Sequence, residues 1–477
     1  MPFPQSGQAP QQVLKSLAAF KEGDLPWAEG RVFAYVYDAG PVAMSLLKDA
    51  YSLFLTENGL DPTSFPSCLE LEKEVIGWAI DLQEGGDAAR GSFTSGGTES
   101  ILLSVKTARD FARATRPGIK NPELLLPETA HAAFFKACHY FDVTPVRVAV
   151  DPATFQAVPE AMEAAITRNT IMVVGSAPSY AHGVIDPIGA LAAIAQKHGL
   201  LFHVDACVGG MYLPFAKRLG HDIPDFNLSV PGVTQLSMDF HKWGYAAKGA
   251  SAILYKNGDL RRHQIFAWSG WTGYTIINPT VLSSKSGGPV AACWAILQHL
   301  GMEGYLRLVQ QTQEASERIR NAITAMEGVR LLGDPKTNIF SFAAEDFNIF
   351  ALADVMKAKG WFIQPQFAFS SSPANLHLSV GASNAPHVEA FLKDLETSVA
   401  GLRASNSGRQ TIELPPEFLA LLENPEPGMF EQLAGAFGTD GSELPGKMQE
   451  INDLMNAAPP AARDRILIEF VNRLYAG

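Results

Sequence analysis

Lys242 and Lys248 stand close together in the stretch DFHKWGYAAKG (239–249), among aromatic residues and glycines. A lysine ammonium is strongly hydrated. Burial beside Phe240 and Trp243 would lower the pKa of Lys242 and leave a nucleophilic amine, as Schiff-base formation with a carbonyl requires. The plainer reading is a solvated loop lysine. Upstream, GSFTSGGTESILLSVKTARDFARAT (91–115) sets Gly97 and Thr98 at the start of a helix whose apolar face runs through Ile101, Leu102, Val105, Ala108 and Phe111. Free N–H groups and the positive dipole end at such a place favour an anion such as phosphate. The alternative is a capped helix with Ser95 or Thr98 as an ordinary cap. No Walker lysine follows the glycines and there is no GxGxxG, so nucleotide motifs do not fit. In LLFHVDAC (200–207), Asp205 closes an apolar strand, where a carboxylate can pair with a cationic ring nitrogen or merely act as a helix cap. In TAHAAFFKACHYF (129–141), His131 precedes a helix and can stack on a flat ring or be a plain helix-start histidine.

A phosphate anchor, an acid for a ring nitrogen, a stacking ring and a reactive amine are together what pyridoxal 5'-phosphate requires. The segments EGRVFAYVY, TSGGTESIL, TAHAAFFKA, SAPSYAHGVIDPI, FHVDACVGG, HKWGYAAKGAS and PVAACWAI follow one another within a span from about Trp27 to about Ser398. On these segments the sequence resembles the pyridoxal-phosphate-dependent group II decarboxylase superfamily, and within it the sphingosine-1-phosphate lyases. The resemblance implies a fold type I, aspartate-aminotransferase-like α/β enzyme that binds pyridoxal 5'-phosphate and shares its sites across a homodimer. It assigns Lys242 as the Schiff-base lysine, and His241, Gly97 and Thr98 to the cofactor phosphate. Ser286, Gly287 and Gly288 would complete that phosphate cup from the other subunit. Asp205 is implied as partner of the pyridine nitrogen and His131 as the stacking ring, with Ser176 and His203 lining the cofactor. Tyr37 and Lys248 are implied to act on the substrate, and Tyr180 joins them as a candidate for proton transfer or phosphate contact.

The reaction so implied is retro-aldol cleavage of a phosphorylated amino alcohol, such as sphingosine-1-phosphate, to a long-chain aldehyde and phosphoethanolamine. An amino-acid α-decarboxylase shares the fold and cofactor and is the rival reading. A catalytically silent, lipid- or protein-binding relative is a third, against which Lys242, Asp205, His131 and Thr98 speak. Three departures touch the substrate side, where Asn58, Asp61 and Lys285 are the candidate contacts. The family's Asn-x-x-His before a Phe-Pro step reads NGLDPTSFP here, which puts Asp61 where a histidine is expected. A carboxylate facing a phosphate would repel it. An Arg-Pro-Gly-Gly segment becomes KSGG, so Lys285 lacks the bidentate guanidinium. Tyr274 replaces a glycine in GWTGYTII and adds bulk.

The elements that must position these residues read as an α/β alternation. Apolar runs at 123–127, 146–150, 170–176, 200–206 and 250–255 read as strands with helical patterns between most of them, which predicts a mostly parallel sheet. Residues 286–327 read as one long helix. The expected organisation is an arm or cap over 1–70, a cofactor-binding domain over 71–327, a small α+β domain over 328–403, and a linker with a helical tail over 404–477. At 477 residues, 47% hydrophobic and 18% charged, the chain is a folded globular protein rather than a disordered one. A net charge of −12 disfavours general nucleic-acid binding. Four cysteines far apart, with no CxxC, indicate neither a zinc site nor a disulfide framework, so no metal is expected. No basic leader with an apolar core opens the chain and no run approaches a membrane span, so the expectation is a cytoplasmic, unanchored protein with a small-molecule or lipid-phosphate substrate.

Overall fold

The computed structural model describes residues 3–405 and 448–475. Helices α1 (Pro10–Phe20), α2 (Pro41–Leu53) and α3 (Pro66–Leu82) each open on a proline, whose missing N–H costs nothing in a first turn. Then comes the alternation itself: β1 (Arg90–Thr94), α4 (Gly97–Thr115), β2 (Glu123–Pro127), α5 (Ala133–Phe141), β3 (Thr144–Val148), α6 (Pro159–Ala164), β4 (Thr170–Ser176), α7 (Ile188–Lys197), β5 (Leu201–Asp205), α8 (Leu213–Arg218), β6 (Gln235–Asp239) and β7 (Ser251–Tyr255). These strands form one sheet in the order β1-β7-β6-β5-β4-β2-β3, and every pairing is parallel except the two made by β7.

A sheet covered on both faces buries its central strands completely, and β4, β5, β6 and β7 are buried along their whole length. Helices α4 and α5 cover one face through Ile101, Val105, Ala108 and Phe134. On the other face, α3, α7 and α8 pack Val75, Ile76, Leu191 and Phe215 against Val173, Phe202 and Leu236. A short helix α9 (Gly258–Arg261) leads to a hairpin of β8 (Phe266–Trp268) and β9 (Ile276–Asn278). The following α10 (Gly287–Ala325) is broken at Gly301, where φ is 53°, so the helix expected over 286–327 is two helices joined at a kink.

A second, antiparallel sheet contains β10 (Val329–Leu331), β11 (Ile339–Ala344), β12 (Gln364–Gln366) and β13 (Asn375–Ser379) in the order β10-β11-β13-β12. Its core is aromatic, with Phe340, Phe342, Phe347, Trp361 and Phe391 buried beneath α11 (Ile349–Ala358) and α12 (Val388–Ala404). Phe33, from the segment expected to be an arm or cap, is buried in the same core. The Phe33 N–H donates to Phe362 O at 3.0 Å and Ser379 N–H to Phe33 O at 2.8 Å, so residues 32–33 run as an added extended strand. Two last helices, α13 (Gln449–Ala457) and α14 (Pro460–Leu474), dock on this small sheet unit. The remainder of the expected tail, 406–447, lies outside the described residues.

The five expected strands are present, with the second run displaced to Thr144–Val148. Two further strands of the large sheet, β1 and β6, are not among those expected. Arg90–Thr94 reads as part of a glycine-rich turn. Gln235–Asp239 carries polar side chains at alternate positions although all five residues are buried.

The two sheet units touch at the loop after β4. Gly183 there has φ +70°, and a Cβ would collide with Ile339 O. Gly183→Ala is therefore expected to lower stability by about 3 kcal/mol, through strain and loss of this approach. Calorimetry showing an unchanged melting temperature would contradict the contact.

Candidate functional site

Parallel strands point their carboxyl ends one way, and the polar residues gather at that edge. The register sets Ser176 beside Asp205 and Asp205 beside Ser237. Asp205 Oδ1 accepts the Cys207 N–H at 3.1 Å and the Ser237 hydroxyl at 3.4 Å, which fixes the carboxylate at the strand end. Ser176 is held through its backbone: its N–H donates to Asp186 Oδ2 at 2.8 Å, while the Ala157 N–H holds Oδ1 at 2.8 Å. Burial pushes the Asp186 carboxyl up to about 6. The Ser176 hydroxyl itself is buried with no partner among the described residues. His203 lies two residues earlier on the same face as Asp205, one layer down. It is fully buried, edge-on to Phe134, with Nε2 3.0 Å from Ser237 Oγ. Burial lowers its pKa to about 4, so a neutral ring supports the Ser237–Asp205 pair from below.

The next strand end carries Asp239. Its Oδ2 is 2.8 Å from Lys242 Nζ and 3.6 Å from His241 Nε2. Burial pulls the lysine down, but the Asp239 carboxylate outweighs it and holds the Lys242 pKa above its ordinary value. This corrects the expectation of a lowered pKa: Phe240 and Trp243 are buried, yet the deciding neighbour is an aspartate rather than a hydrocarbon. His241 shifts the other way, lowered chiefly by burial, and its Nδ1 accepts the Ala250 N–H at 3.2 Å. Above these groups sits the amino end of α4. No side chain caps it, and a Cβ on Gly97 would meet Asp239 Oδ2 at 2.8 Å and Cys207 Sγ at 2.9 Å. Only glycine allows this approach. A Cβ on Gly96 would lie 3.6 Å from the His241 ring, so uncapped N–H groups, Thr98 and His241 share one corner.

On the other side of Lys242 stand the residues delivered by the segment 30–37. Lys248 is an exposed residue, but its ammonium is engaged, donating to Tyr35 O at 2.8 Å and His241 O at 3.3 Å above the Tyr37 ring. Burial of that end, then the nearby Lys242 charge, lower its pKa to about 8. Tyr37 packs edge-on against Trp243 and Tyr180 hydrogen-bonds Gln364 Oε1 at 2.8 Å; burial raises the pKa of both phenols. His131 accepts the Ala133 N–H on Nδ1 at 3.1 Å. It lines a cleft of roughly 350 Å³ together with Tyr180, His182, Phe367 and Ser372.

The substrate-side candidates form a separate cluster. Asn58 Oδ1 accepts the N–H groups of Leu60 and Lys285, both at 3.1 Å, and Gly287 N–H donates to Glu57 O at 2.8 Å. Lys285 Nζ is paired with Glu72 at 2.7 Å. Asp61 folds back on its own turn, accepting Thr63 N–H at 2.8 Å and Ser64 Oγ at 2.9 Å, and those bonds lower its pKa. Ser286 caps α10 by accepting the Gly288 N–H at 3.3 Å. Among the described residues no hydrogen bond or ion pair joins Asn58, Asp61, Lys285, Ser286, Gly287 or Gly288 to Lys242, Asp205 or His131. Within one chain, Asn58 Oδ1 and the Lys285 ammonium are held by neighbouring groups and Asp61 by its own turn.

Sequence reasoning missed Asp239, Cys207, Ser237 and Asp186. Asp239 is the first residue of DFHKWGYAAKG, three positions before Lys242, and the turn that follows β6 folds the two together. The donor set fits pyridoxal 5'-phosphate: an uncapped helix end with His241 for the phosphate, a fixed strand-end carboxylate for the ring nitrogen, and Lys242 between them.

Residues 4–345 match the family model described as the Pyridoxal-dependent decarboxylase conserved domain. Residues 416–473 match a second model, Pyridoxal-dependent enzyme, C-terminal putative HTH domain. The chain is 38% identical over 434 residues to the sphingosine-1-phosphate lyase of Arabidopsis thaliana, covering 89% of this chain and 78% of that one. It is 40% identical over 397 residues to the sphingosine-1-phosphate lyase of Dictyostelium discoideum, covering 83% and 73%. A solved structure of the Burkholderia pseudomallei sphingosine-1-phosphate lyase matches with a TM-score of 0.81 and 36% identity, over 85% of this chain and 94% of that one. Gly97→Ala should weaken cofactor binding at least about tenfold by displacing Asp239 from the helix end. An absorbance titration with pyridoxal 5'-phosphate measures this, and an unchanged affinity would show that the close approach does not shape the site.

Proposed function

This chain belongs to the pyridoxal-dependent decarboxylase family, and from that membership we propose that it cleaves sphingosine-1-phosphate, or a close phosphorylated amino alcohol, to a long-chain aldehyde and phosphoethanolamine. The protein is a pyridoxal-phosphate-dependent lyase of fold type I. Similarity to sphingosine-1-phosphate lyases over most of both chains supports the substrate class. The geometric observation that carries the reading is Lys248, an amine of pKa about 8 held over Tyr37 beside Lys242.

Pyridoxal phosphate supplies an electron sink for negative charge left on the substrate α-carbon. In this reading Lys242 would hold the cofactor, Asp205 would pair with its ring nitrogen and keep it protonated, and His131 would supply a ring to pack on it. Ser176 and His203 buttress the strand ends, and Gly97, Thr98 and His241 would take its phosphate. Lys248 in its neutral form accepts the β-hydroxyl proton as the Cα–Cβ bond breaks. Tyr37 and Tyr180, with raised pKa values, keep their protons at neutral pH and serve as donors. Asn58 and Lys285 shape the loop opposite, and Ser286, Gly287 and Gly288 complete the phosphate cup of the other subunit in a homodimer.

That homodimer is supported by uncovered apolar side chains on β8 and β9 and the loops beside them, among them Phe266, Trp268, Trp271, Tyr274 and Ile277, an area too apolar to leave in water. A monomer in sedimentation that retained full cofactor affinity would contradict it. A boundary near 327 belongs to the same reading and is supported by two separate sheets, the smaller of which also takes Phe33 and the helices α13 and α14. A cytoplasmic location belongs to it too, supported by four unpaired buried cysteines. Among the described residues no helix is long and apolar enough to cross a membrane.

Incubated with sphingosine-1-phosphate, the holoenzyme should release a long-chain aldehyde and phosphoethanolamine, identified by mass spectrometry. Amines formed from amino acids by loss of carbon dioxide, with the sphingolipid untouched, would replace this reading by α-decarboxylation. Lys242→Ala should abolish the visible absorption of bound cofactor and turnover together. Lys248→Ala should keep the absorption and lose about 100-fold or more in kcat. Because a lysine base works only when neutral, kcat/KM should rise with pH through about 8 in the wild type. That limb should vanish in Lys248→Ala, and a limb unchanged in the variant would assign the base elsewhere.

A further inference from the structure

We propose that the C-terminal helices α13 and α14 clamp the loop 367–372 at the active-site cleft, with Asn456 and Arg463 as positioning residues. The proposal rests on the functional reading in which the cleft lined by His131 and Tyr180 receives substrate.

The helices are keyed to the small sheet unit at two points before they reach the cleft. The Asp354 carboxylate accepts the N–H groups of Met448 and Gln449, both at 3.0 Å, an anion at a helix amino end. Asn348 Nδ2 donates to both oxygens of Asp453, at 2.9 and 2.8 Å, while its Oδ1 caps α11. Met455, Ala458 and Ala462 are buried along the seam. So seated, the helices grip one residue from both sides. Asn456 Oδ1 accepts the Ala368 N–H at 2.7 Å, and Arg463 Nη2 donates to Ala368 O at 3.5 Å. The same guanidinium lies 5.4 Å over the Phe367 ring and is itself steadied by Ala458 O at 2.8 Å and Asn456 O at 3.3 Å.

Ala368 opens the turn that walls the cleft. Phe369 and Ser372 exchange backbone hydrogen bonds of 2.9 Å in both directions, and Ser370 between them has φ 51°. A non-glycine residue in that region persists only when its surroundings hold it there. Ser372 Oγ then meets His182 Nε2 at 3.0 Å, and His182 stacks on Phe155 at 4.0 Å. Phe367, Ser372 and His182 line the cleft with His131 and Tyr180. A chain of direct contacts therefore runs from Asn456 through Ala368 and the turn to the wall facing His131. Nothing in it touches the reacting atoms, so its effect falls on how the site receives substrate rather than on bond breaking.

The test uses the full-length holoenzyme and Asn456→Leu, with Asn456→Asp as the variant that keeps the acceptor. Deuterium uptake of the 367–372 amides, the shift of the cofactor band on titration with phosphoethanolamine, and KM and kcat for sphingosine-1-phosphate are read together. Asn456→Leu should speed exchange at 367–372, raise KM and the phosphoethanolamine dissociation constant about fivefold, and leave kcat and the resting absorption band in place. Asn456→Asp should restore all of these. Faster exchange with unchanged KM, or unchanged exchange, would overturn the clamp. If the wild type ignores both ligands, the sphingolipid reading fails on its own, and the clamp is then judged by exchange alone: faster in Asn456→Leu and restored in Asn456→Asp, or refuted.

Discussion

A carboxylate with almost no access to water is the constraint on which the site depends. Asp239 is 2% exposed on its side chain, and burial of an unpaired carboxylate is costly enough that the fold must supply a partner. Lys242 is that partner, and the pair fixes both the lysine and the end of β6. The need to bring this pair under the amino end of α4 explains a glycine at 97. The hydroxyls of Thr94, Ser100 and Ser251, linked at 2.7 and 2.8 Å, stitch α4 and its neighbouring strands below the same point. Glu99 extends the bracing outward by accepting the Ser95 N–H at 2.6 Å and the Val281 N–H at 2.7 Å. Anion site, lysine and loop are thus parts of one charge-balanced assembly.

The two lysines of the motif diverge for the same reason. Both are drawn in among aromatic side chains, but one meets a carboxylate and the other meets carbonyls and a phenol face. The first is held charged in this structure, whereas the second is left closer to neutrality at ordinary pH. Burial pulls both lysines toward neutrality; the Asp239 carboxylate reverses that at Lys242, while at Lys248 burial prevails and the Lys242 charge adds to it.

This marks the boundary of what could be read before the fold was known. The alternation of strands, the lysine stretch, the strand-end Asp205 and the glycine turn were legible because each is a local pattern. Strand β6 was hidden because Gln235, Ser237 and Asp239 occupy its buried polar face, and a period-two rule that looks for apolar residues passes over it. The fates of Asp61 and Lys285 were illegible for opposite reasons. Asp61 answers to Thr63 and Ser64 in its own turn, while Lys285 answers to Glu72, 213 positions away. Charge and motif position named these residues, but only their hydrogen bonds say which way they face.

The strand-like passage through Val32 and Phe33 has a consequence for the order in which the protein is made. Its neighbours are Phe362 and Ser379, so residues near the start of the chain wait for residues some 330 positions later. At roughly 5–20 residues per second of synthesis, that wait is roughly 16–66 s. During this interval the aromatic, β-prone run VFAYVY (32–37) has no partner strand and is a hazard for pairing with other nascent chains. The segment that carries Tyr37 to the lysines is therefore also one that a chaperone shielding extended apolar chain would have to cover during synthesis.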